Sequence, residues 1–402
     1  MTPEFLRHGT PAAVLAALPG ARAVGGAVRD FLCEPPKPIH DVDVAVALPP
    51  QEAARLLRNA GLKVFETGLQ HGTVTAVLDR QPVEVTSLRR DVATDGRHAE
   101  VEWIGDWRED AARRDFTINA MSMGLDGVLH DYYGGLADLR AGCVRFVGVP
   151  GARLAEDYLR ALRFFRFWAR YGRGAPDGEA VAAIRDAVPG LARLSVERVW
   201  MEIKRLLQAP EPGDALRLMD QTGVLGAVLP EALPLDLAAL ERLVARAAPV
   251  DALLRLAALL PAGVDHVSLG QRLKLSSAEV LRLAHILDQS STPPPGASEA
   301  ALLIWQALSR FGTAPDAHLP LWLADARDGL DRAAERAAMH GPLPVFPLQG
   351  RDALALGVPP GPDIGRLLGA VEAWWLRETA TRASREDCLE KLREDAKRNT
   401  AP

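Results

Sequence analysis

The sequence predicts an α+β protein, a mixed α/β head at the N-terminus followed by an all-helical neck, body and tail. Three observations predict it. Residues 20 to 90 alternate short β-branched runs with helical ones; after Gly151 the β signal fades and Leu, Ala and Arg recur at helical spacing to the end; and Pro and Gly cluster at Pro210 to Gly213 and Pro293 to Gly296. At about 100 to 200 residues per domain, a chain of this length holds several folded units. The boundaries read from these breaks are 1–150 for the head, 151–210 for the neck, 211–330 for the body and 331–402 for the tail.

Taken in order, the leading segment Pro11 to Leu18 reads as an amphipathic helix. Arg7, this apolar stretch and Ala21-Arg22-Ala23 mimic a signal peptide, but Glu4 spoils the basic start and cleavage would cut into the motif that begins at Val24. Strands are expected at Ala23-Val24, Val42 to Ala47, Val64-Phe65, Thr73 to Leu78 and Val83 to Thr86. Pro50 to Asn59 reads as a helix ended by Gly61. A further Pro and Gly cluster, Gly357 to Pro362, precedes a last helical stretch with mixed charges from Arg385 to Arg398.

Composition excludes several classes. With 48% hydrophobic and 25% charged residues the chain can bury a core in each unit, which excludes global disorder. No run approaches the roughly 18 consecutive apolar residues of a membrane span, so a soluble protein is expected. The three cysteines, Cys33, Cys143 and Cys388, are far apart and lack metal spacing, which suits a reducing cytoplasm. His285-Ile286-Leu287-Asp288 lacks the adjacent His-Asp pair of a metal-dependent hydrolase. The net charge of −5 is uneven: residues 153 to 205 carry eleven Arg or Lys against seven Asp or Glu, so a basic middle sits on an acidic body. Such asymmetry fits a polyanion site, although 41 of the 47 basic residues being Arg also reflects the general Arg, Ala and Leu excess of the chain.

Two short motifs carry chemistry. Val24-Gly25-Gly26-Ala27-Val28-Arg29-Asp30 is a strand ending in two glycines and running into a helix. Glycines there let backbone N–H groups approach a phosphate, and Arg29, one turn in, can reach the same oxyanions. Alone, the same residues read equally as a tight strand-to-helix turn. His40-Asp41-Val42-Asp43-Val44-Ala45-Val46 places two aspartates at a strand start. Side chains at i and i+2 share a face, so both carboxylates can converge, and a divalent cation relieves their repulsion. Alone, Asp-x-Asp is also an ordinary polar strand edge. Their coexistence within twenty residues makes a phosphate cradle followed by a metal dyad.

Downstream come Arg113-Arg114-Asp115-Phe116-Thr117-Ile118-Asn119-Ala120-Met121, then Asp131-Tyr132-Tyr133-Gly134-Gly135-Leu136-Ala137-Asp138-Leu139, then Glu156-Asp157-Tyr158-Leu159-Arg160-Ala161-Leu162-Arg163-Phe164-Phe165-Arg166-Phe167. These five blocks, in this order, resemble the class II tRNA nucleotidyltransferase and bacterial poly(A) polymerase family over residues 20 to about 210. The resemblance implies a head of the DNA polymerase β type and assigns Asp41 and Asp43 to Mg2+. It assigns Gly25, Gly26, Arg29 and Arg114 to the nucleotide's phosphates and sugar, and Asp157 and Arg160 to the base, with Arg163 and Arg166 nearby. Tyr132-Tyr133 stand where the family has Pro-Phe, a departure at the hinge. Leu194-Ser195-Val196-Glu197-Arg198 with Glu202-Ile203-Lys204 looks like a further block that braces the neck; it reads equally as a Ser-capped helix with an ion-paired face. Glu84 and Asp115 are candidates for a third carboxylate, and for Glu84 pairing with a nearby Arg is the favoured reading.

The last long block can be argued without the family. Read as one helix, Arg153, Glu156, Asp157, Arg160, Arg163, Arg166 and Arg170 occupy half its circumference, either as a solvated ion-paired face or as a recognition surface. Cytosine and adenine each present an amino donor beside a ring-nitrogen acceptor, so Asp accepting next to Arg donating matches C and A and rejects U and G. The function that the family resemblance implies is addition of C and A from CTP and ATP to the 3′ end of tRNA, with tRNA held by the helical half. Enzymes that add only A or only CC, and poly(A) polymerases, share the fold. Arg89 to Trp107, with Asp95-Gly96-Arg97-His98, resembles the loop that CC-only members shorten. A non-catalytic RNA-binding protein is disfavoured by the intact aspartate dyad, and a small-molecule nucleotidyltransferase by the basic neck and long helical body.

Overall fold

The computed structural model describes residues 2–39, 41–94, 99–288, 296–298, 302, 318–333, 336, 345–377 and 382–399. It divides into two compact units, Met1–Leu235 and Asp236–Pro402.

In the first unit, α1 (Gly9–Ala17) leads into β1 (Arg22–Val24), α2 (Gly26–Leu32), β2 (Asp43–Val46), α3 (Pro50–Asn59), β3 (Lys63–Gly68), β4 (Thr73–Leu78) and β5 (Gln81–Ser87). A hairpin of β6 (Arg89–Thr94) and β7 (Ala99–Trp103) follows, then α4 (Trp107–Ala112), β8 (Met121–Gly124), β9 (Leu129–Asp131) and α5 (Gly135–Ala141). The main sheet has seven strands in the order β3-β4-β5-β2-β1-β8-β9. Only β2 and β5 are parallel neighbours; the rest pair antiparallel, so the mixed sheet expected from the sequence is present. Alternation explains its register: Val83, Val85 and Ser87 of β5 point into the core while Glu84 points away. Pro at the first turn starts α3, and the chain leaves it through Gly61, at φ 85°.

Four strands, β6 to β9, had no counterpart in the sequence reading. Met121–Gly124 is fully buried and so lacks alternation, and Leu129–Asp131 is too short to show any. The segment after Leu88, read as a loop, is the β6–β7 hairpin; its expected tip Asp95, Gly96, Arg97 and His98 lies outside the described residues. Its C-terminal residue Trp103 lies over Gly72, where a Cβ would come within 2.2 Å of the indole. At the Tyr-Tyr departure, Asp131 accepts from the backbone N–H groups of Tyr133, Gly135 and Leu136 and so caps α5, while Tyr132 accepts from Arg22 and Tyr133 donates to the Arg108 carbonyl.

The neck contains α6 (Pro150–Glu156), α7 (Leu159–Tyr171), α8 (Gly178–Ala187) and α9 (Val196–Leu207), continued by α10 (Gly213–Gln221) and α11 (Val224–Val228). The single helix expected from Arg153 to Arg170 is overturned. It breaks at Asp157, whose backbone is extended (φ −153°, ψ 108°). The two halves have different packing partners, α6 against α8 and α7 against α9 and α10, and the Asp157 carboxylate accepts from the Leu159 N–H at the start of α7. Helical periodicity continues across the break, which hides it from the sequence. Phe116, Phe146, Phe164 and Phe167 form one aromatic cluster, with Phe116 to Phe146 at 4.9 Å and Phe146 stacked on Phe164 at 6.1 Å, so the head core and α7 share a nucleus.

Every regular element among the described residues of the second unit is a helix. α12 (Ala238–Ala245), α13 (Ala252–Leu259), α14 (His266–Leu273) and α15 (Ser277–Leu287) precede a helix at Leu319–Asp328, and α13 is buried along its whole length. Fully buried Asp325 pairs with Arg332 at 2.5 Å and with Arg336. A separate core around Leu367, Val371, Leu376, Cys388 and Leu392 joins the helices Gly350–Ala355, Pro362–Arg377 and Arg385–Asn399. No helix among the described residues is long and apolar enough to cross a membrane.

The shared aromatic nucleus yields a test. Phe164→Ala should cost about 3 to 5 kcal/mol, read as a lower urea midpoint for the first unit's unfolding; an unchanged midpoint would show that α7 is not part of the head's core.

Candidate active site

The site is gathered at one end of the sheet by the pairing of β1. That strand runs antiparallel to both neighbours, with Val24 opposite Asp43 on β2 and opposite Ser122 on β8. The end of β1, where the glycines stand, therefore meets the beginning of β2, where the aspartates stand, and the beginning of β8, reached by the Arg113 to Met121 block. The Gly25 N–H donates to the Met121 carbonyl at 3.2 Å. Gly25 takes φ 66°, ψ −123°, and a Cβ there would come within 3.1 Å of the Arg114 guanidinium, so glycine is required by both backbone and space.

The cleft has a volume of about 410 Å³ and is lined by Gly25, Gly26, Arg29, Asp43, Arg114, Asp115, Asn119, Asp157, Leu159, Arg160, Arg163, Phe167 and Arg198. Five guanidinium groups face three carboxylates across it, a balance suited to a polyanion. Of the residues expected at the site, Gly25, Gly26, Arg29, Asp43, Arg114, Asp157, Arg160 and Arg163 come together here. Asp41 lies just before β2 and is exposed. Arg166 does not line the cleft: it donates to buried Glu202 of α9 at 2.6 Å and lies over the Phe167 ring.

Asp43 is the first residue of β2. Its carboxyl is pushed above the usual range by partial burial and by the negative charges of Glu84 and Asp41, against the pull of Arg114. Val44 pairs with Val85 in the parallel ladder, so one residue back on each strand Glu84 falls beside Asp43 on the same face. The expectation that Glu84 pairs with an arginine is thereby corrected; register sets it next to a carboxylate. Among the described residues no three acidic, His or Cys side chains are already gathered as a metal cage. The donor set is nonetheless oxygen-only and mutually repelling, which fits Mg2+, a cation that takes one or two carboxylates and completes its shell with water and substrate phosphates.

Asp115, the other candidate third carboxylate, is committed elsewhere. It is buried and accepts from Arg163 at 2.8 Å, from the Asn119 amide at 3.0 Å and from the Phe116 N–H at 2.9 Å. Burial raises its pKa, but Arg163 and these hydrogen bonds outweigh it and hold the carboxyl below the usual range. Asn119 in turn accepts from Arg29 at 2.5 Å. Arg114 is steered by buried Asp110, which also receives Arg113 at 2.8 Å.

The neck enters through a second set of bonds. Arg153 donates to the carbonyls of Arg113 and Arg114 at 2.5 and 2.9 Å and to Glu156, and Glu156 also receives Arg160 at 2.6 Å. Arg160 further donates to the Arg153 carbonyl at 3.0 Å. Asp157 receives Arg198 of α9 at 2.6 Å. Asn119, Arg198 and Phe167 are cleft residues that sequence reasoning quoted within blocks without assigning them to the site. For Asn119 the available signal was its place in the Arg113 to Met121 block, four residues after Asp115; for Arg198 and Phe167 only tertiary packing supplies it.

With this geometry in place the chain was compared with known proteins. A model of the poly(A) polymerase head domain matches residues 21–145, and one described as a probable RNA- and SrmB-binding site of polymerase A matches residues 175–235. The mitochondrial CCA tRNA nucleotidyltransferase 1 of Danio rerio is 36% identical over 382 residues, covering 92% of this chain and 86% of the relative. The chain belongs to the CCA tRNA nucleotidyltransferase family. Family membership extends to bacteria: the CCA-adding enzyme of Streptococcus gordonii is 40% identical over 189 residues, covering 46% of each chain. The family fold is shared across nearly the full length with the CCA-adding enzyme of Bacillus stearothermophilus in complex with CTP, with a TM-score of 0.73, 27% identity and 99% coverage of both chains. The fold expected from the sequence, a mixed-sheet head followed by helices, is that of these nucleotidyltransferases.

The Asp115 network has a pH signature. A carboxyl depressed by folding contributes stability above its unfolded pKa of about 3.9 and loses it as pH falls through the folded value. Asp115→Asn should therefore lower the melting temperature at pH 7, with the gap from wild type closing below about pH 4; a gap independent of pH would show that the charge contributes nothing.

Proposed function

We propose that the cleft performs template-independent nucleotidyl transfer, adding C and A from CTP and ATP to the 3′ end of tRNA. The observation that carries this reading is the meeting of the glycine turn, Asp43 and the arginine-lined neck in one cleft of a chain whose relatives are CCA tRNA nucleotidyltransferases, with Asp41 two residues before Asp43. In the reaction the 3′ hydroxyl oxygen bonds to the α-phosphorus, the bond to the β-phosphate oxygen breaks, pyrophosphate leaves and the hydroxyl proton passes to solvent.

Asp41 and Asp43 would hold Mg2+, with Glu84 beside them. When bound, the ion lowers the pKa of the attacking hydroxyl and offsets charge on the triphosphate. Arg29 and Arg114, fixed before substrate arrives, stabilise the phosphate oxygens without reorganising, aided by the backbone at Gly25 and Gly26. Asp157, at the break between α6 and α7, accepts from the amino group of cytosine or adenine, and Arg160 donates to the ring nitrogen. With two bonds already made, Asp157 keeps acceptor capacity for a base, because a carboxylate has about four lone-pair sites. Arg163 orders Asp115, and Arg166 orders Glu202. Residues 211–330 and 331–402 hold the tRNA by shape and phosphate contacts. The free thiols of Cys33, Cys143 and Cys388 support assignment to a reducing compartment such as the cytoplasm.

The deciding experiment supplies purified protein with tRNAs ending before CCA, after C and after CC, with each labelled triphosphate in turn. C on the first two and A on the third is the expected pattern. A only on the third, C only, or repeated A identifies an A-adding, CC-adding or poly(A)-polymerising enzyme instead. In the same assay Asp41→Asn and Asp43→Asn should each lower incorporation by about a thousandfold or more with unchanged circular dichroism; retention of a tenth of wild-type activity would remove the metal assignment. Asp157→Ala should raise the share of UTP and GTP used relative to CTP and ATP by a factor of roughly 5 to 150. Wild-type discrimination in a folded Asp157→Ala protein would remove the base-reading role.

A further inference from the structure

Arg29 is a buried cation whose surroundings determine where its remaining N–H groups point. Asp30 takes it in a fork, from Nε at 2.9 Å and from Nη2 at 3.0 Å, and Asn119 accepts from Nη1 at 2.5 Å. The Arg29 guanidinium carbon lies over the ring of Tyr171, the last residue of α7, 4.3 Å from the ring centre. The Tyr171 hydroxyl donates to Asp30 at 2.7 Å, the same carboxylate that holds Arg29. Burial, together with the bond to Asp30, pushes this phenol well above its ordinary pKa although Arg29 pulls the other way, so it remains a donor throughout the working pH range.

The ring is itself fixed. It packs against Phe167 at 5.9 Å, and the Lys37 ammonium lies 3.8 Å from its centre. Lys37 donates to the Arg170 carbonyl at 2.9 Å, which ties the segment leading to Asp41 to the end of α7. Tyr171 thus contacts Arg29 through its ring and Arg29's counter-ion through its hydroxyl, while standing outside the residues that line the cleft.

We infer that Tyr171 is a positioning residue for nucleotide binding, which clamps Arg29 between its ring and Asp30 so that the guanidinium meets the triphosphate in one fixed orientation. The inference rests on the assignment of Arg29 to phosphate contact made above. A guanidinium free to change rotamer binds phosphate only after losing that freedom, whereas one forked by a carboxylate and seated over an aromatic ring has lost it on folding. Because the contact is to phosphate, the benefit is blind to the base.

The test measures CTP and ATP dissociation constants by titration calorimetry on the full chain, in Mg2+, for wild type and variants. Tyr171→Leu should weaken both triphosphates by the same factor, roughly fivefold, and Tyr171→Phe, which keeps the ring, should lose less. In an Arg29→Ala background Tyr171→Leu should add no further loss, since the group it positions is gone; Arg29→Lys serves in the cycle where Arg29→Ala does not fold. Unchanged affinities for Tyr171→Leu, a loss confined to one nucleotide, or the same loss with and without Arg29 would each overturn the inference. A wild-type protein that binds both triphosphates but extends no tRNA end would overturn the proposed reaction and leave this binding result standing.

Discussion

The organisation of this molecule depends on the antiparallel pairing of a three-residue strand with both of its neighbours. Because β1 runs against β2 and against β8, its terminal glycines, the aspartates that open β2 and the polar block that precedes β8 all arrive at one end of the sheet. Were either pairing parallel, one of these segments would be carried to the opposite end. The convergence also creates an electrostatic problem. Asp43 lies near Asp41 and Glu84, and partial burial together with their repulsion raises its pKa. The nearby positive charge of Arg114, held by Asp110, offsets part of this, and a bound divalent cation would offset the rest.

Around this end the protein builds guanidinium groups that are oriented in advance. Arg29 is held by Asp30 and Asn119, Arg114 by Asp110, Arg163 by Asp115 and Arg160 by Glu156. Asn119 and Asp115 are themselves bonded to each other, so Arg29 of the head and Arg163 of α7 share one network. Partly buried ion pairs of this kind contribute little net stability once desolvation is counted. Their value here lies in fixing direction, since a planar fork locked by a carboxylate presents its free N–H groups in one plane. The break between α6 and α7 serves the same end: with its backbone extended, Asp157 turns out of the helical ladder into the cleft, where Arg198 of α9 meets it.

Much of the site was legible as residue types in order. The glycine pair, the aspartates two apart and the Asp and Arg of the long basic block are chemically unusual enough, taken jointly, to name a reaction class. Partnerships were less legible. Glu84 read as an ion-paired strand residue because its own sequence neighbourhood says nothing about which strand lies beside it; only the parallel ladder of β2 with β5 sets it next to Asp43. Asp157 and Arg160 read as one turn of one helix because periodicity is continuous through a break that is imposed by packing against α8 on one side and α9 and α10 on the other.

By itself the sequence determined the division into a mixed-sheet head and a helical remainder, since hydrophobic period and the placement of Pro and Gly are local properties. It also determined which functional groups are available to the cleft, since glycines, carboxylates and guanidinium groups in a set order are properties of the chain itself. Tertiary structure decided who meets whom. It bonded Asp115 to Arg163 and Asn119, turned Arg166 away from the cleft to Glu202, and brought Tyr171 from the far end of α7 onto Arg29. The physical reason is range: backbone propensity acts over a few residues, whereas the strand register and helix packing that fix these pairs join residues as much as 142 positions apart, Tyr171 and Arg29 among them.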